Sequence, residues 1–128
     1  DVATLTGASL IALGTAASAI MTPDREIEEQ FRQLGEEAGE YVWPFPLWSE
    51  YNELVKGRFG DIPNIPAEGN SRYAGVIGGG MFLYQFAKKY PWVHIDMAPR
   101  MTSVSGDHLA KGAAGSPVRL LLKVVENF

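Results

Sequence analysis

The strongest constraint on the fold is a six-residue segment, Trp92-Val93-His94-Ile95-Asp96-Met97. A strand turns successive side chains to opposite faces, so Val93, Ile95 and Met97 share one face and Trp92, His94 and Asp96 the other. Neither face is polar enough to meet water along its whole length. Val2-Ala3-Thr4-Leu5, stopped by Thr6-Gly7, reads as a second short buried strand, and Ala16 to Met21 is apolar enough to be buried too. Strands buried on both faces need helices on both sides, which is the α/β arrangement. Two or three strands make a very small sheet for that purpose. The chain also opens at Asp1, without a methionine, straight into an apolar segment. The expectation is a downstream part of something longer, with further strands upstream.

The helices that would cover such a sheet are legible. Thr22 is placed as an N-cap, with Pro23 at the first helical position and Asp24 and Glu26 suited to the positive end of the helix dipole. Ile27, Phe31, Leu34 and Ala38 then form one apolar stripe, and Gly39 is a natural stop. Glu28, Glu29, Glu36, Glu37 and Glu40 fall mainly off that stripe and read as a solvated face rather than a cation site. Val76 to Tyr90 is a second helix, apolar on most sides, with Lys88 and Lys89 at its end and Pro91 beyond. Gly78-Gly79-Gly80 near its start costs about 1 kcal/mol per glycine against alanine, a cost consistent with another chain segment packing very close. A phosphate-cradling loop is the rival reading, but no Lys-Ser/Thr follows and the GxGxxG register is absent. Ser116-Pro117 opens a last helix whose buried side is expected to be Leu121, Val124, Val125 and Phe128.

Between these elements the chain is less regular. Ala8 to Leu13 is too short for periodicity to separate helix from strand. Tyr41 to Tyr51 is dense in aromatics and prolines, so it reads as an ordered extended segment leading into a helix around Ser49 to Val55. Lys56 to Tyr73 and Pro99 to Gly115 read as long loops, and long loops inside a compact domain are usually functional or interface-forming.

Composition then narrows the partners. Eleven basic against fifteen acidic residues give a net charge of −4, which disfavours a nucleic-acid partner held through phosphates. The absence of cysteine removes disulfides, thiolate metal sites and a cysteine nucleophile. No apolar run reaches the roughly eighteen residues of a membrane span, so no membrane partner is expected and the chain reads as cytoplasmic.

Few residues point to chemistry on their own. His94 and Asp96 share a strand face and would suit two metal ligands, but a metal needs three or four and no other ligand lies at suitable spacing. The alternative is a buried, hydrogen-bonded histidine that fixes strand and helix positions. Ser103, Asp107 and His108 are the residue types of a hydrolase triad, yet they sit side by side in a loop without the strand–turn–helix setting of a nucleophile elbow. No complete catalytic constellation is present.

Six motifs in order carry a resemblance. They are Asp1-Val2-Ala3-Thr4-Leu5-Thr6-Gly7-Ala8 with Ala12-Leu13-Gly14; Trp43-Pro44-Phe45-Pro46-Leu47 with Tyr51; Asp61-Ile62-Pro63-Asn64; and Ala74-Gly75-Val76-Ile77 with Phe82-Leu83 and Phe86. Trp92-Val93-His94-Ile95-Asp96-Met97-Ala98 and Lys111-Gly112-Ala113-Ala114-Gly115 with Arg119 complete the series. Together they resemble the leucyl aminopeptidases, cytosolic hexameric metallopeptidases, over essentially the whole chain, which would be the C-terminal portion (residues 1–128) of the catalytic domain.

The resemblance implies part of a mixed, twisted sheet flanked by helices, a zinc-peptidase-like α/β fragment. It implies a peptide substrate, a homo-hexamer, and a pair of divalent ions (zinc, manganese or magnesium) that bind the substrate and activate a bridging water in the full-length enzyme. The family's lysine, aspartate and glutamate ligands and its catalytic lysine and arginine precede Asp1, so this chain is expected to carry no metal and no catalytic residue and to be inactive alone. Thr4, Leu5 and Gly7 match residues that line the family's substrate cleft. Ala98 and Met101 match the pocket for the substrate's N-terminal side chain. His94 and Asp96 match positions on a structural strand, with no metal role implied. Pro99-Arg100 departs from the glycine that usually follows Ala98, which bears on the pocket's shape. A different class of function, a truncated relative that only assembles with partners, is the alternative.

Overall fold

The computed structural model describes residues 1–57, 60–64 and 73–128. Most of the loop expected over Lys56 to Tyr73 therefore lies outside the described residues. Four strands form one mixed sheet: β1 (Val2–Ala3), β2 (Ser18–Met21), β3 (Val42–Pro44) and β4 (His94–Asp96), in the order β1-β4-β2-β3. β4 runs parallel to β1 and antiparallel to β2, and β2 runs parallel to β3. The extended Tyr41 to Tyr51 segment thus supplies a strand, and Ala16 to Met21 supplies another. The strand expected over Trp92 to Met97 is regular only at its centre. Ile95 N and Met97 N nevertheless donate to Asp1 O and Ala3 O, both at 2.8 Å, extending the pairing with the start of the chain.

Helices cover both faces, as strands without a polar face require. They are α1 (Gly7–Leu13), α2 (Arg25–Ala38), α3 (Gly75–Ala87) and α4 (Val118–Asn127), with 3-10 turns at Ser49–Val55 and Ala98–Arg100. Ile20, Val42 and Ile95 meet Phe31 and Leu34 of α2 and Leu120 of α4 on one face. On the other, Ala19 and Met21 meet Val76 of α3, with Ala8, Leu13, Phe45 and Leu47 packed around them. A smaller cluster joins Val55 to Ile77 and Met81.

Several local expectations shift for identifiable reasons. Asp24, not Thr22, is the N-cap of α2: its carboxylate accepts from Glu26 N at 2.9 Å and Ile27 N at 3.2 Å. A carboxylate is the stronger acceptor facing free N–H groups, and Thr22 instead accepts from Asp24 N at 3.2 Å. Gly39 closes the helix in the left-handed region at φ 65°. α3 ends at Ala87, short of Tyr90. A Cβ on Gly79 would lie 2.9 Å from Leu5 Cδ2 and Thr6 Cγ2, and one on Gly80 would lie 2.2 Å from Met21 Sδ. Two of the three glycines therefore serve close approach, while Gly78 has room.

α4 is rotated from the expected register. Leu120 is fully buried and Val124 partly so, whereas Leu121, Val125 and Phe128 are exposed. Glu40 explains the rotation. It belongs not to the solvated face of α2 but to the interior, where Oε2 accepts from Leu120 N at 2.8 Å and Oε1 lies 3.5 Å from Arg119 Nε. Glu28, Glu29, Glu36 and Glu37 do stay on the outer side of α2, with Glu29, Glu36 and Glu37 exposed.

Candidate functional site

Asp96 is the centre of the site. It sits at the end of β4, fully buried, and its two carboxylate oxygens collect four donors. Oδ1 accepts from Leu5 N at 3.0 Å and Ala98 N at 3.2 Å. Oδ2 accepts from Thr6 N at 3.1 Å and from the Thr6 hydroxyl at 2.6 Å. A carboxylate this buried is tolerable only when its lone pairs are satisfied in this way. The result joins two segments ninety or so residues apart (91 for the Leu5 bond).

The first of those segments is the turn from β1 into α1. Thr6 is the N-cap of α1: its Oγ1 accepts from Ser9 N at 3.2 Å while its proton goes to Asp96. Ser9, fully buried, donates its hydroxyl to Thr6 O at 2.7 Å. The turn is therefore held from inside the helix and from β4 together. Gly79 of α3 lets the Leu5 and Thr6 side chains lie directly against helical backbone.

The expected substrate-lining residues fall as follows. Thr4 and Leu5 lie in the turn with their side chains exposed, and Gly7 opens α1, with open space where a side chain would begin. Ala98 is buried at the start of the 3-10 turn, and Met101 ends that turn about half exposed. Asp96 brings Leu5 and Ala98 together through their backbone amides. Thr4 and Gly7 flank the held residues, and Met101 is carried at the end of the turn. Sequence reasoning missed Thr6 and the acceptor role of Asp96. The available signal was a lone carboxylate in an otherwise apolar strand.

His94 shares the Asp96 face, as alternation requires, and is fully buried. It is not the hydrogen-bonded histidine expected: among the described residues, neither ring nitrogen has a hydrogen-bond partner. Its ring stacks on Trp92, which stacks in turn on Tyr84 of α3. The Asp1 carboxylate approaches Nδ1 to 3.2 Å without the alignment of a hydrogen bond. Burial pushes the imidazole down from 6.5 to about 4, against the opposing charge of Asp96. His94 is accordingly neutral near pH 7 and packs as an aromatic ring.

The residue types of a triad are spent on loop architecture. Ser103 Oγ donates to Ala110 O at 2.9 Å and accepts from Gly112 N at 3.2 Å. Asp107 accepts from Val104 N at 2.8 Å and from Arg100 at 3.1 Å, and His108 is exposed. The Val104 amide and then the Arg100 guanidinium hold the Asp107 carboxyl below the usual carboxylate range. Among the described residues, no three His, Cys, Asp or Glu side chains are grouped so as to hold a metal ion. The donor set that a pair of divalent ions demands is thus not one these residues fit.

Fold and site together define a class: an α/β segment in which one buried carboxylate holds two turns through their backbone amides, with no metal-holding cluster among the described residues. Comparison with known proteins shows the family to which this segment belongs. Residues 1–122 match the cytosol aminopeptidase family, catalytic domain, and the chain belongs to that family. A probable cytosol aminopeptidase of Azoarcus sp. (strain BH72) is 44% identical over 121 residues, 94% of this chain and 23% of that protein. One from Clostridium tetani is 42% identical over 129 residues, 100% of this chain and 26% of the relative. Among solved structures, a mutant of tomato leucine aminopeptidase superposes with a TM-score of 0.83 at 34% identity, covering 98% of this chain and 23% of that one. The bottromycin maturation enzyme BotP gives 0.86 at 30% identity, covering 98% and 28%. The fold is that of part of the leucine aminopeptidase catalytic domain, and the chain spans about a quarter of the length of these relatives.

Proposed function

We propose that this chain is the C-terminal portion of the catalytic domain of a metal-dependent, leucyl-type aminopeptidase, which removes N-terminal residues from peptides. In that enzyme it supplies substrate walls. Thr4, Leu5 and Gly7 line the cleft along the peptide backbone, and Ala98 and Met101 line the pocket for the first side chain. The observation that supports this best is the Asp96 carboxylate, which holds both of those segments through backbone amides at 3.0 to 3.2 Å. A wall assembled this way has its free carbonyls and amides fixed before substrate arrives, so little ordering cost remains at binding.

A pair of divalent ions would be held by residues outside this chain, where it would supply polarisation of the scissile carbonyl and an activated water. This chain's contribution is to orient the peptide and to exclude water around its first side chain. The isolated chain is inactive on this reading, and the full-length enzyme is a cytoplasmic homo-hexamer. Exposed Trp43 and Trp48 support burial of the Trp43 to Trp48 segment between subunits, since aromatic side chains fixed beside prolines are poor solvent-facing groups.

The test is hydrolysis of leucine p-nitroanilide by the full-length protein containing this chain. Activity abolished by a chelator and restored by zinc or manganese is expected. A full-length protein without such activity would overturn the proposal. Hydrolysis by the purified 128-residue chain, or stoichiometric metal in it after dialysis, would overturn its assignment as a wall only.

A further inference from the structure

Arg100 is the most unexpected buried group in the molecule. An arginine side chain is seldom withdrawn from water unless paired, yet Arg100 is only 8% exposed. Its guanidinium donates from one nitrogen to Thr15 O at 2.9 Å and from the other to Asp107 Oδ1 at 3.1 Å. Thr15 lies in the connection between α1 and β2, and Asp107 lies in the loop that follows the Ala98–Arg100 turn. The fork geometry of the guanidinium lets it reach both at once, which a lysine ammonium does less well.

We infer that Arg100 is a positioning residue for substrate specificity: by tying the Thr102 to Ala113 loop to the α1–β2 connection, it sets where Met101 stands in the first-side-chain pocket. This rests on the proposed function, which places Ala98 and Met101 in that pocket. The loop's own bonds close it on itself. Thr102 bridges Ala113, Ser103 N donates to Gly112 O at 2.8 Å, and Asp107 Oδ2 accepts from Val104 N at 2.8 Å. Ala114 N reaches Met101 O at 3.4 Å. Among the described residues, the hydrogen bonds that connect this loop to the body of the domain run through Arg100.

The two pocket residues are consequently held by different groups. Ala98 is anchored by Asp96, independently of Arg100. Met101 sits between Arg100 and the bridge at Thr102, so its place depends on the clamp. Releasing Arg100 frees one wall and leaves the other. A small first side chain, which touches Ala98 and little else, then loses little. A leucine-sized one loses the contacts that Met101 makes.

The experiment measures kcat and KM for leucine and alanine p-nitroanilides in the full-length protein, with Arg100→Met, Arg100→Lys and Asp107→Asn variants and their melting temperatures. Arg100→Met is expected to lower the leucine-over-alanine ratio of kcat/KM about tenfold, within the range a fitted or lost methylene commands. The change should appear in KM for leucine. Asp107→Asn, which keeps the loop's shape, should move the ratio the same way by a smaller factor, and Arg100→Lys should restore part of it. Equal loss on both substrates, or an unchanged ratio whatever happens to the melting temperature, overturns the inference while leaving the proposed function standing. If Arg100→Met does not fold, Asp107→Asn and Arg100→Lys decide by the same ratio. Wild-type protein inactive on both substrates would overturn the proposed function, and this inference with it.

Discussion

Asparagine at position 96 would keep the shape of the buried side chain and remove its charge and one of its two acceptors. The better of the two amide orientations leaves oxygen at the Oδ1 position, where Leu5 N and Ala98 N donate at 3.0 and 3.2 Å. The NH2 group then faces Thr6 N–H, at present 3.1 Å from Oδ2, and two donors confront each other. The Thr6 hydroxyl, 2.6 Å away, can turn its lone pair toward the new donor, so its loss is small. Leaving one part-buried N–H unpaired costs about 1–3 kcal/mol. The two surviving bonds lose their charge assistance, while the desolvation of the carboxylate is relieved, and these changes partly cancel. The net expectation for Asp96→Asn is about 2–3 kcal/mol of local destabilisation. Native-state amide exchange reads it residue by residue. Thr6 should exchange roughly thirty- to a hundred-fold faster, since about 1.4 kcal/mol is a factor of ten. Leu5 and Ala98 should keep most of their protection. Equal acceleration at all three amides would refute the orientation argument, and no acceleration at Thr6 would refute the role of Asp96 itself.

Other perturbations probe other elements. Glu40→Ala strips the buried partner of Leu120 N and should cost about 1–3 kcal/mol, read as a lower urea midpoint with selective loss of protection in the first turn of α4; a change under about 0.5 kcal/mol would be indistinguishable from an ordinary surface substitution and would contradict the cap. His94 is protonated in the unfolded chain below its ordinary 6.5 but stays neutral in the fold down to about 4. Its contribution is therefore complete above pH 6.5 and declines as pH falls toward 4, by roughly 3 kcal/mol at most. Urea midpoints at pH 7 and pH 4.5 should show that decline in the native sequence and a smaller one in His94→Phe; identical declines would rule His94 out. Gly80→Ala places a Cβ 2.2 Å from Met21 Sδ, and overpacking at about 1–3 kcal/mol should outweigh the helix-propensity gain of about 1; a raised melting temperature would show that Met21 yields. In the full-length enzyme, Ala98→Phe should reduce kcat/KM for leucine far more than for alanine, by about ten- to two-hundred-fold in ratio, and an equal loss on both substrates would remove Ala98 from the pocket.

The elements that can be read directly are those whose signal lies within one turn or one strand. The Ile27, Phe31, Leu34 and Ala38 stripe gives α2, and Gly39 ends it where expected. Alternation around Ile95 gives a strand with His94 and Asp96 on a common face. α4 shows where such reading fails. Leu120, Leu121 and Leu122 are consecutive, so hydrophobicity alone leaves the helix free to rotate by one residue. Glu40, distant in the chain, selects Leu120 by capping its amide.

The candidate site divides along the same line. The aminopeptidase family follows from motifs, because a family's backbone geometry is carried by short runs such as Thr4-Leu5-Thr6-Gly7. The sequence determined the α/β class, the covering helices and the family. Tertiary structure alone decided that Asp96 joins the β1–α1 turn to the Ala98–Arg100 turn, that His94 is a stacked ring without a hydrogen-bond partner among the described residues, and that Arg100 and Asp107 clamp a loop. The physical reason is common to all three. Polarity marks a side chain as needing a partner, but nothing in the local pattern says which distant amide, ring or carbonyl the folded chain will bring to it.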